Sequence, residues 1–110
     1  MFNATTVIIE AFVKELVGGY VTTLGEDRRE IELISANARN ALEIIANSDA
    51  PYHDINHTIM VTMVGTEILR GKILTEGSVS KHEWVHFVIS LLNHDIGSGL
   101  IVHLTFPLAD

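Results

Sequence analysis

Between Asp27 and Ala46 the apolar residues Ile31, Ile34, Ala38, Ala41, Leu42 and Ile45 recur at intervals of three and four, while Arg28, Glu32, Arg39 and Glu43 take the other faces. One helical turn takes about 3.6 residues, so this spacing lines the apolar side chains along one stripe. A helix striped in this way must bury the stripe against other elements. The rest of the chain supplies helices for it to pack on. One stretch is predicted from Thr5 to Val17, with Val7, Ile8, Ala11, Phe12 and Leu16 on one side and Gly18–Gly19 as its stop. Another runs from Asp54, a natural N-cap, to Gly71. One face there carries His57, Met60, Val61, Val64 and Ile68, which predicts that His57 points inward with them. The last opens at Ser80, which has capping-box spacing to Glu83, and continues through a greasy run to Asp95 and the break at Gly97. "YVTTLGED" and "GKILTEGSV" read as connectors. The expectation is all-α: a single domain over residues 1–110, folded as a compact bundle of about four to five helices.

Composition narrows the function classes. The 110 residues are enough for one modest core, and 47% of them are hydrophobic. Net charge is −7, and the seven basic residues are scattered. Binding to a DNA or RNA polymer, or to an anionic membrane surface, needs clustered Lys and Arg, so neither is expected. There is no cysteine, which excludes disulfides, thiolate zinc sites and cysteine nucleophiles and fits a cytoplasmic setting. Glu10 and Lys14 interrupt the first apolar run, and no basic leader precedes it, so neither a signal peptide nor a membrane span is expected.

Two polar clusters carry the chemistry. "PYHDINH" (51–57) places His53 and His57 four residues apart, and "NHDIG" (93–97) places His94 beside Asp95 at the end of an apolar helix. An imidazole nitrogen and a carboxylate oxygen form a mixed donor set suited to a divalent metal such as Mn, Mg, Fe, Co, Ni or Zn. His57, on the preceding helix, is the candidate third ligand. Positions left open for water and substrate are the condition for a catalytic metal.

"YHDINHTIMV" (52–61) followed by "LLNHDIG" (91–97) resembles the HD-domain metal-dependent phosphohydrolases. The first string is similar to the Y-H-[ND]-x-x-H signature of their cyclic-nucleotide phosphodiesterase branch. The resemblance covers Tyr52 to Gly97. It implies His53 as general acid, His57, His94 and Asp95 as metal ligands, and a small phosphorylated substrate such as a nucleotide. The family pattern also has a later aspartate ligand. Only Asp110 follows Asp95 among the acidic residues, and it is not assigned that role.

Other readings compete with this one. His57 on an apolar face also fits a satisfied core histidine, and His53 a turn residue beside Pro51. A non-catalytic HD-like module acting by association is the alternative function. "HEWVH" (82–86) spells H-E-x-x-H, the zinc-peptidase helix, but no glutamate follows Glu83, and the cap already accounts for Glu83. Residues 98–110 carry no charge before Asp110 and no clear period. Their apolar run predicts association, as a symmetric homodimer.

Overall fold

A computed structural model describes residues 3–47 and 51–94, with residues 51–54 as backbone alone. Four helices follow in order: α1 (Ala4–Leu24), α2 (Arg28–Ala46), α3 (Pro51–Glu76) and α4 (Lys81–Asn93). No strand occurs among the described residues. The protein is an all-α bundle in which α2 packs against the other three helices and α3 against α4. None of the helices is long and apolar enough to cross a membrane. Asp95 and the segment 96–110 lie outside the described residues.

The core forms where the helical stripes meet. Ile34, Ala38, Ala41, Leu42 and Ile45 of α2 are buried, on the phase that their spacing predicts. They pack with Ile9, Phe12, Val13, Leu16 and Tyr20 of α1 and with Trp84, Val85, Val88, Ile89 and Leu92 of α4. The stripe of α1 is therefore turned from the expected one, and Val7 and Ile8 are exposed. Gly18–Gly19 does not end α1 either. Each glycine costs a helix about 1 kcal/mol against alanine. Carrying the helix onward buries Tyr20 completely, and full burial of a large side chain returns about 1.5–3 kcal/mol.

α3 departs most from expectation. It extends over the whole of "GKILTE", because Leu69 is buried and Ile73 packs against the core. It ends at Gly77, whose φ of 96° suits glycine and whose N–H donates to the Ile73 carbonyl. Its expected inward face is the outward one. Met60, Val64 and Ile68 are 64%, 55% and 61% exposed, and His57 is exposed with them. Ile55, Thr58, Thr62, Thr66 and Leu69 turn inward instead. The threonine methyls can pack there because two of the hydroxyls are satisfied within the helix. Thr62 Oγ1 donates to the Thr58 carbonyl at 2.7 Å, and Thr66 Oγ1 to the Met63 carbonyl at 2.8 Å. Gly65 completes this face. A Cβ there would run into the Leu91 side chain and press on Phe87, so the missing side chain lets α4 approach closely.

Asp27 joins the ends of three helices. Its carboxylate accepts from Tyr20 Oη at 3.1 Å and from Lys81 Nζ at 2.9 Å. The hydrogen bond from the Lys81 ammonium holds this carboxyl below its ordinary value of 3.8; burial opposes it, and the Tyr20 hydroxyl adds to the lowering. A depressed carboxyl stabilises the fold fully above its ordinary value and loses that contribution as pH falls through the folded-state value. Asp27→Asn is expected to lower the urea midpoint at neutral pH and to flatten its decline in acid. Urea titrations of both proteins across the acid range measure this, and parallel curves would dismiss the junction.

Candidate functional site

α3 and α4 are joined by a short loop and lie side by side, so the start of α3 meets the end of α4. His57 lies in the second turn of α3, and His94 is the C-cap residue of α4 with helical backbone angles. Their ring centroids are 5.5 Å apart, with the planes tilted by 50°. Both side chains are exposed, which corrects the inward placement of His57. The correction follows from the phase of α3: the face with Thr58, Thr62, Gly65 and Thr66 is buried, Gly65 lies against Leu91 and Phe87 of α4, and His57 is on the solvent side.

The separation leaves room for one ion between the two imidazoles. Rings that bind one ion through bonds of about 2.0–2.1 Å place their centroids roughly 4.5–5.5 Å apart. Hydrogen bonding also sets the His94 tautomer. Its Nδ1 lies 2.7 Å from the Leu91 carbonyl oxygen. A carbonyl only accepts, so Nδ1 carries the proton, and in the neutral ring the basic lone pair is at Nε2. A backbone carbonyl holding the second ring nitrogen is the usual support of a ligating histidine.

The other expected site residues are placed less fully. The backbone of His53 lies in α3 one turn before His57, on the same side by helical register, and its side chain is outside the described residues. Asp95 is outside them altogether. Among the described residues, no group of three His, Asp or Glu side chains gathers for a metal. The pair can thus supply two donors of the expected set.

Two residues beside the histidines escaped the sequence reading. Thr58 and Asn93 are buried, and neither Thr58 Oγ1 nor Asn93 Oδ1 has a hydrogen-bond partner among the described residues. Asn93 donates through Nδ2 to the Ile89 carbonyl at 2.8 Å. The clue was an asparagine at the end of an otherwise apolar run, directly before His94. A buried polar atom without a hydrogen bond costs about 1–3 kcal/mol, so these two atoms are costly features next in sequence to the two histidines.

The "HEWVH" histidines form a separate pair. His82 and His86 have ring centroids 5.8 Å apart at the start of α4, and His86 precedes His94 by about 12 Å of helix. Glu83 closes the predicted capping box: Ser80 N donates to its carboxylate, and Glu83 N donates to Ser80 Oγ, both at 3.0 Å. The Ser80 N–H and then Lys72 hold the Glu83 carboxyl below its ordinary range. Its carboxylate is engaged in capping the start of α4.

The fold defines a small all-α domain, and its paired-histidine corner lies where α3 begins and α4 ends. Residues 2–102 match the model of the Npun_R2479-like family, and the chain belongs to that family. No curated protein and no solved structure matches it.

Proposed function

We propose that the protein is a cytoplasmic metal-dependent phosphohydrolase acting on a small phosphomonoester or phosphodiester such as a nucleotide. The observation that carries this reading is the His57–His94 pair on adjacent helices, with the His94 tautomer set by the Leu91 carbonyl. The resemblance of "YHDINH" and "NHDIG" to the HD-domain phosphohydrolases supplies the remaining roles. His57 and His94, with Asp95, would hold a divalent cation. Such an ion, when bound, polarises a phosphoryl oxygen and acidifies a water molecule. His53 would donate a proton to the leaving oxygen. The Leu91 carbonyl keeps the His94 ring oriented so that Nε2 presents the lone pair.

A second reading is a non-catalytic helical module that acts by association, as a homodimer. Val7 and Ile8, exposed side by side on α1, favour it. Metal titration of the full chain, followed by the ring-proton NMR signals of its histidines and by hydrolysis of p-nitrophenyl phosphate and bis-p-nitrophenyl phosphate, decides between the two. The enzyme is expected to bind one or two ions tightly, shift the His57 and His94 signals together, and release p-nitrophenol. A chain that binds no metal would remove the phosphohydrolase reading.

A further inference from the structure

Val7 and Ile8 of α1, Ile44 of α2 and Leu74 of α3 are exposed apolar residues apart from one another or in a single pair, whereas α3 also exposes a stripe of three in a row. Met60, Val64 and Ile68 lie four residues apart on one ridge, each more than half exposed, while the same helix buries three threonines on its other side. Large apolar side chains in a row are normally covered. The stripe runs about 12 Å along the helix from Met60 to Ile68. Its N-terminal end is marked by His57, whose ring lies against that of His94, the last described residue of α4. The chain therefore leaves α4 beside the beginning of the stripe.

The sequence that follows suits the stripe. Asp95 to Gly99 form a spacer with glycine at 97 and 99, able to span up to about 16–18 Å and to reverse direction. Beyond it the segment has no helical period, but Leu100, Val102, Leu104, Phe106 and Leu108 fall at every second position. That alternation gives an extended segment one apolar edge. No charge interrupts it.

We propose that residues 100–108 of the same chain dock along the Met60–Val64–Ile68 stripe of α3. Two arguments favour this occupant over a second copy of the chain. A standard protein interface draws on about 20–30 residues a side, and the stripe offers three large apolar residues. A tethered segment meets the stripe at an effective concentration in the millimolar range, whereas a second copy must first lose its translational and rotational freedom.

The chain has no cysteine, so an introduced pair reports on itself alone. Val64→Cys is combined in the full-length chain with Val102→Cys, Leu104→Cys or Phe106→Cys, and Glu32→Cys with Leu104→Cys serves as the control on an exposed part of α2. Each protein is oxidised at micromolar concentration after mixing with an equal amount of an isotopically heavy copy, then sized and weighed by mass spectrometry. Docking predicts that at least one Val64 pairing closes a disulfide within a monomer, several-fold faster than the control. Covalent dimers containing one light and one heavy chain would assign the stripe to a second copy and overturn the proposal. Closure no faster than the control in every pairing would overturn it as well.

Discussion

Replacing His57 by alanine will reduce metal binding by more than the roughly 10–100-fold that loss of an outer supporting group costs, while leaving the fold intact. The two halves of this expectation come from different observations. His57 is exposed on α3, so its removal opens no core cavity. Its ring lies 5.5 Å from that of His94, within range of one shared ion. His53→Ala should behave differently, because the role proposed for that side chain is proton donation. Its metal content should equal that of the parent, and turnover should fall by about 10²–10⁴. Metal analysis after gel filtration, circular dichroism and steady-state hydrolysis separate the two variants. Equal metal loss in both would make His53 a ligand and remove the general acid from the scheme. A His57→Ala protein that binds metal like the parent would dissolve the site.

Trp84→Ala should cost about 3–5 kcal/mol, a substantial part of the 5–15 kcal/mol that holds a domain of this size together. Trp84 is fully buried in the first turn of α4 and meets Tyr20 of α1 edge to face, with centroids 6.5 Å apart at 72°. Tyr20 in turn donates to Asp27, so the indole supports the junction where α1, α2 and α4 meet. Trp84→Phe should lose much less. Most of the buried apolar surface remains, and Trp84 Nε1 has no hydrogen-bond partner among the described residues to forfeit. Urea unfolding followed by circular dichroism provides the comparison, since the substitutions remove the only tryptophan. An alanine variant within about 1 kcal/mol of the parent would mean that the indole is not the keystone of this contact.

Local interactions made part of this protein legible in its sequence. The buried face of α2 could be read because its apolar residues have few competitors: charged side chains occupy the opposite positions. The start of α4 could be read because Ser80 and Glu83 bond to each other's backbone within one turn. The histidine corner was legible as two motifs on successive helices, and a short loop brings the start of one helix to the end of the next.

Tertiary structure decided what these local rules leave open. Periodicity shows that α3 has an apolar stripe, but not that α4 packs on it. α4 takes the opposite face, where Gly65 admits Leu91 and Phe87, and where Thr62 and Thr66 turn their hydroxyls back to their own helix. That close approach turned His57 outward beside His94 and left Met60, Val64 and Ile68 exposed. The continuation of α1 through Gly18–Gly19 has the same kind of cause. Glycine propensity is a local cost of about 1 kcal/mol per residue, and it is outweighed once Tyr20 can be buried against a tryptophan more than sixty residues away in the chain.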